Sequence, residues 1–150
     1  MEIKEIMAII EDMKVGVFAT VDKSGKPHAR HAHIVAANEE GVFFMTSPKT
    51  HFYKQLMGDN RIALTTMVED GYLTQVIRVE GIARPVNNDE LRTIFANNPY
   101  YNFIYSDEES STMQAFQIYQ GEGFYHSMTQ GHKYVFSIGT RQDPYVKALS

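Results

Sequence analysis

The chain contains no cysteine and no tryptophan. The first absence removes a disulfide framework, a thiolate zinc site, an iron–sulfur cluster and a cysteine nucleophile together, so any metal would have to be held by imidazole and carboxylate. No run reaches the roughly 18 apolar residues that a bilayer-crossing helix needs. The opening stretch MEIKEIMAIIEDMK carries three Glu and an Asp where a secretory leader would carry a basic region and a cleavage site. The expectation is a cytoplasmic protein without membrane association. Positive charge is also scarce: 14 Lys plus Arg stand against 18 Asp plus Glu, a formal net charge of −4, with no dense basic run. Binding to a phosphate backbone needs a basic footprint, so nucleic acid is excluded as the expected partner and a small molecule is favoured.

At 150 residues the chain is long enough to bury a core without staples, because folding at this size hides roughly two thirds of the extended-chain surface. Residues 1–140 read as one domain. The last ten, RQDPYVKALS, read as a polar tail expected to be mobile.

Ile3, Ile6, Met7, Ile10 and Met13 recur at helical spacing with charged residues between them, which predicts an amphipathic helix over residues 2–13 that lids something. VGVFATV, HARHAHIVAA and VFFMT then read as a three-stranded meander punctuated by the turns DKSGKP and NEEG. Ser47 and Pro48 end the third strand, and a short helix follows from near Lys49 to His51, with Phe52, Leu56 and Met57 at apolar offsets, until Gly58 stops it. RIALTTMV predicts a fourth strand and YLTQVIRVEGIARPV a long fifth, in which Gly81 marks a bulge or a close backbone approach. DELRTIFANN reads as a further amphipathic helix ended before Pro99, and FQIYQGEGFYHSM and KYVFSI close the series as strands. About six antiparallel strands with short helices between them make a small barrel the expected architecture, since closure removes the exposed edges of so many short strands.

Three constellations could carry chemistry. In His28-Ala29-Arg30-His31-Ala32-His33, strand alternation places His28, Arg30 and Ala32 on one face and Ala29, His31 and His33 on the other. The His31/His33 pair has metal-ligand spacing but no helpful carboxylate nearby, so polar residues at a barrel rim or a subunit interface are the plainer reading. The second is Thr46-Ser47-Pro48-Lys49-Thr50-His51, where hydroxyls, free N–H groups at a helix start and cations match the needs of a phosphate dianion, with Arg30 as a bidentate clamp. Helix N-capping accounts for the same Ser and Thr. The third is the density of Phe, Tyr and Met, from Phe43, Phe44 and Met45 through Tyr100, Tyr101, Phe103 and Tyr105 to Phe124 and Tyr125, which suits a planar ring but suits a core equally. No nucleotide-loop, serine-hydrolase or zinc-protease motif is present. A cofactor would therefore have to carry any demanding chemistry.

VGVFATVDKSGKPHAR, then VFFMTSPKTHFYKQLMGDNRIALTT, then VIRVEGIARPV, in that order, resembles the pyridoxamine 5'-phosphate oxidase-like family of flavin-binding split barrels over about residues 3 to 96. The region NPYYNFIYSDEE and the FQIYQGEGFYHSM strand look more like the compact nitroimidazole-reductase and general-stress branches than the vitamin enzyme. The resemblance implies a mainly β fold, a six-stranded antiparallel split barrel, forming a homodimer that binds FMN at the subunit interface. It implies that Arg30, His31, Ala32 and His33 run along the flavin, Arg30 matching a phosphate- or ring-contacting arginine. Met45 and Thr46 would meet the ring edge and ribityl chain, while Ser47, Lys49, Thr50 and His51 surround the phosphate. Gln75, or Val76 beside it, falls where the family often has a flavin-contacting glutamine. One departure is that the family commonly has consecutive basic residues where this chain has His51 and Phe52, so Lys49, Lys54 and Arg30 would have to compensate.

The implied activity is electron or hydride transfer through FMN to a small molecule, nitroaromatic or quinone-like. No residue is assigned to proton transfer; His31, His33, Tyr101 and Tyr105 are the candidates. The competing expectation is a non-catalytic stress-related module that holds flavin or haem, and binding residues alone do not separate the two.

Overall fold

The structure is a computed structural model, and it describes residues 1–71, 73–87, 89–90, 93, 113–139 and 143–149. The first element is helix α1 (Ile3–Met13). The Glu2 backbone N–H donates to the Glu5 carboxylate at 2.8 Å, reciprocal capping that fixes where the helix starts. Lys14, at φ 66°, turns the chain out of it. Its buried face is Ile6, Met7 and Ile10, and it packs on the strands Pro27–Asn38 and Arg61–Asp70, so it does act as a lid.

Strands β1 (Val15–Val21), β2 (Pro27–Asn38) and β3 (Gly41–Thr46) form the expected meander, and helix α2 (His51–Gly58) follows. Strands β4 (Arg61–Asp70), β5 (Leu73–Val86) and β6 (Gln114–Ser127) continue the sheet, all neighbours antiparallel. The order β3-β2-β1-β4-β5-β6 is closed by a sixth pairing, β3 with β6, from Val42↔Ile118 to Thr46↔Gln114. This is the six-stranded antiparallel barrel expected from the sequence. Phe18, Phe44, Phe52 and Phe116 fill its interior: Phe44 stacks on Phe52 at 5.4 Å and on Phe116 at 5.6 Å, and lies 4.7 Å from Phe18.

Two further strands, β7 (His132–Gly139) and β8 (Val146–Ala148), extend the sheet beyond β6. Within the stretch 141–150 expected as a polar tail, the described residues Val146–Ala148 are paired with β7. Val146 pairs with Phe136 and Ala148 with Tyr134, and Tyr145 exchanges hydrogen bonds with Ser137. The backbone of this segment satisfies its polar groups on the edge of β7, which outweighs its polar composition.

Gly81 behaves as its sequence context suggested. It lies opposite Gly121, a Cβ on it would collide with the Gln120 carbonyl, and the register shifts one residue later, between Ile82 and Ala83. Met57, expected on the apolar side of α2, is 54% exposed, while Phe52 and Leu56 are the α2 side chains buried in the core and Tyr53 packs at its margin. The helix expected at 89–98 lies outside the described residues apart from 89, 90 and 93, and the aromatic group Tyr100, Tyr101, Phe103 and Tyr105 lies wholly outside them.

Candidate functional site

Alternation along β2 decides which of the clustered side chains can act together. His28, Arg30 and Ala32 turn inward, while Ala29, His31 and His33 are exposed on the outer face. Arg30 lies across β1 and α2. Its guanidinium donates to the Thr20 hydroxyl at 2.7 Å, to the Gln55 side-chain carbonyl at 2.7 Å and, more weakly, to the Phe18 carbonyl at 3.3 Å. It sits 4.4 Å above the Phe52 ring. Thr20 donates in turn to the same Gln55 oxygen at 2.6 Å, so three side chains from three elements brace one another.

Every described acceptor of Arg30 is neutral, and no ion pair to it is found among the described residues. Burial pushes the guanidinium below its ordinary value. A partly desolvated cation without a carboxylate partner is primed for an anionic ligand. It faces a cavity of about 710 Å³ that is also lined by His28, His51, Lys54 and Gln55. Two carboxylates border the same space, and both are engaged. Asp22 meets His28 Nε2 at 2.9 Å, and Asp59 forms a bidentate pair with Arg61 at 2.6 to 3.2 Å. These hydrogen bonds hold both acids low, Asp59 at about 2.

The strand-to-helix turn is more self-contained than its composition suggested. The Thr50 hydroxyl donates its hydrogen to the Ser47 carbonyl at 2.8 Å and accepts from the Tyr53 N–H at 3.1 Å as the N-cap of α2, with Thr46 Oγ1 a further 2.8 Å away. Ser47 Oγ accepts from the Lys49 N–H at 3.2 Å. Thr46 is buried, and Met45 packs against a small apolar cluster with Phe43 and Ala36. Of this segment His51 alone lines the cavity beside Arg30.

Gln75 is elsewhere, on β5, donating to the buried Tyr125 hydroxyl at 2.8 Å. The structure thus brings Arg30 and His51 together and leaves His31, His33, Met45, Thr46, Ser47, Lys49, Thr50 and Gln75 off the cavity wall of the single chain, with Ala32 against the core. Thr20, Gln55 and the Asp22–His28 pair were not foreseen as parts of the site. The signal was present for two of them: Gln55 follows His51 by four residues, one helical turn on the same face, and His28 shares the inward face with Arg30.

Comparison with known proteins decides the family. Residues 3–122 match the family model described as Pyridoxamine 5'-phosphate oxidase. The chain belongs to the pyridoxamine 5'-phosphate oxidase family. A pyridoxine/pyridoxamine 5'-phosphate oxidase of Burkholderia mallei is 30% identical over 99 residues, which are 65% of this chain and 45% of that protein. The chain thus spans less than half the length of this curated relative of the family. Among solved structures, a NimC/NimA family protein from Clostridium acetobutylicum superposes with a TM-score of 0.69 at 17% identity, covering 90% of this chain and 92% of the other. A pyridoxamine 5'-phosphate oxidase-related, FMN-binding protein from Nostoc punctiforme gives 0.67 at 11% identity over 95% and 90%. The heme storage protein of Vibrio cholerae gives 0.59 at 17% identity over 77% and 87%. At these identities the structural likeness establishes the shared split-barrel fold of the pyridoxamine 5'-phosphate oxidase family.

Proposed function

We propose that this chain is an FMN-binding flavoprotein that passes electrons or hydride to a small molecule, nitroaromatic or quinone-like, as a cytoplasmic homodimer. The observation that carries the reading is Arg30: a partly buried cation with only neutral described acceptors, facing a cavity of about 710 Å³. A phosphate dianion is the ligand such a group lacks, and the chemistry of the surrounding donors fits it.

In this reading Arg30 grips the phosphate. His51 and Lys54 line the same space from α2, and the first-turn N–H groups of His51 and Phe52 have no acceptor within the helix. Thr50 contributes by holding the turn, since its only hydroxyl hydrogen already goes to Ser47. Phe52 occupies one of the family's commonly basic positions but is buried against Phe44, so it supports Arg30 from beneath and takes no part in charge balance. FMN, when bound, supplies two-electron and one-electron transfer chemistry. The residues of this chain bind, orient and shield it. His31, Val15 and Met67 stand exposed on the outer sheet face, Met67 at 55%, and this is the surface a second subunit would cover to complete the site.

A second reading is a flavin- or haem-holding module without turnover. It is supported by the exposed His31 and His33, whose imidazoles are iron ligands by type. The experiment that tests both is the visible spectrum of the purified protein, with the chromophore released by denaturation and identified by mass. FMN, together with its reduction by a nicotinamide donor and reoxidation by a nitroaromatic or quinone, supports the enzyme. FMN that is not turned over, or haem, supports the module. A colourless protein that does not bind added FMN overturns the reading.

A further inference from the structure

The cavity holds a pair that the flavin reading does not require. Asp22 lies at the end of β1 in the hairpin turn, where its Oδ1 accepts the Ser24 and Lys26 N–H groups at 2.8 and 3.0 Å. Those two bonds fix its carboxylate rigidly. The other oxygen, Oδ2, meets His28 Nε2 at 2.9 Å, and His28 shares the inward face of β2 with Arg30 two residues on. The hydrogen bond places the proton of the neutral ring on Nε2 and leaves Nδ1 as a lone-pair acceptor; protonation converts Nδ1 into an N–H donor on a cationic ring that Asp22 balances.

We propose that the Asp22–His28 pair is a proton-coupled second arm of the anion site, so that an anion bound by Arg30 is held more tightly when His28 is protonated. Asp22 is the positioning residue and His28 the ligand-facing one. The inference rests on the reading of the Arg30 cavity as a phosphate site, and it adds that a proton is taken up with the anion.

Among the described residues, the charged and titratable groups that line the cavity with His28 are Asp22 and Lys23 from the hairpin turn, Arg30 from its own strand, His51 and Lys54 from α2, and Asp59 just beyond α2. Asp59 is balanced by Arg61. Lysine and arginine keep their charge across neutral pH. His28 and His51 are the two imidazoles among these groups, and a substitution at each separates them.

Inorganic sulfate is the probe, because it remains a dianion where a phosphate monoester titrates. Its binding to the full chain is followed by backbone-amide NMR at pH 6 and pH 8, in wild type, His28→Gln, Asp22→Asn and His51→Gln. The wild-type affinity is expected to be about tenfold higher at pH 6, the scale of one added charge-assisted contact. The pH 6 to pH 8 ratio should shrink severalfold in His28→Gln and Asp22→Asn and persist in His51→Gln. Asp22→Asn keeps an oxygen for the turn N–H groups, and the dispersion of the amide spectrum shows that each variant is folded. A wild-type ratio near one, the absence of sulfate binding, or a ratio undiminished in His28→Gln overturns the proposal. Discrimination of FMN from riboflavin at pH 8, measured alongside, reports on the phosphate reading itself: if it survives while the sulfate ratio is flat, only the proton-coupled arm falls.

Discussion

Replacing Arg30 by Ala should separate ligand binding from folding. On the binding side the loss is a charge-assisted contact to phosphate, roughly 1.5–3 kcal/mol, which corresponds to about a ten- to hundredfold weaker Kd for FMN. Riboflavin lacks the phosphate, so its affinity should change far less. On the folding side the guanidinium gives up two short hydrogen bonds, to Thr20 and Gln55, and a seat over Phe52. Thr20 and Gln55 nevertheless keep each other as partners at 2.6 Å. The variant also relieves the cost of holding a charge partly out of water, the cost that depresses the arginine in the first place. The two effects oppose each other, and the net loss of stability should be about 1 kcal/mol. Fluorescence titration with FMN and riboflavin in parallel, together with the thermal midpoint, reads both quantities. Equal weakening of FMN and riboflavin would place the contact on the ring instead of the phosphate. An unchanged FMN affinity would refute the placement of the phosphate altogether.

Thr50→Ala should act mainly on stability, by about 1 kcal/mol, since it removes the N-cap of α2; denaturant unfolding checks this, and an FMN loss as large as that of Arg30→Ala would contradict it. Asp22 and Asp59 are both held below their ordinary values by hydrogen bonds, Asp22 chiefly to His28 and Asp59 chiefly to Arg61. A carboxylate depressed in the folded state contributes stability above its unfolded pKa, and that contribution is lost as pH falls through the folded value. For Asp59 the window runs from about pH 4 down to about 2, and Asp59→Asn should flatten the thermal midpoint across that range. Gly41→Ala should cost about 2–4 kcal/mol, because Gly41 has φ 130° and a Cβ there would run into the Ile118 carbonyl at the β3–β6 seam; thermal unfolding reads the loss, and a near-wild-type midpoint would mean that the seam tolerates separation.

The elements were legible because each carries its own period. Ile6, Met7 and Ile10 mark the lid helix by a 3.6-residue spacing, and the alternation of Arg30 with His31 assigns inward and outward faces before any contact is known. The family was legible from three segments in order, although no one of them is specific. The family's own pattern, by contrast, pointed to Met45, Thr46, Ser47, Lys49, Thr50 and His51, beside Arg30 to His33 and Gln75, as the ligand contacts. The structure commits most of the stretch from Met45 to His51 to its own turn and core, because Thr50 satisfies the open end of α2 and Thr46 is buried beneath it.

Composition and periodicity alone thus determined the strands, the lid helix and the exclusion of cysteine chemistry, since these depend on local preferences and on which atoms are present. Tertiary structure alone decided that β3 closes on β6, that Val146–Ala148 pair with β7, and that Asp22, His28, Arg30, Gln55 and Asp59 meet around one cavity. Hydrogen-bond partners across a barrel are set by how its strands register and close, and that closure joins residues too distant in sequence for any local pattern to encode.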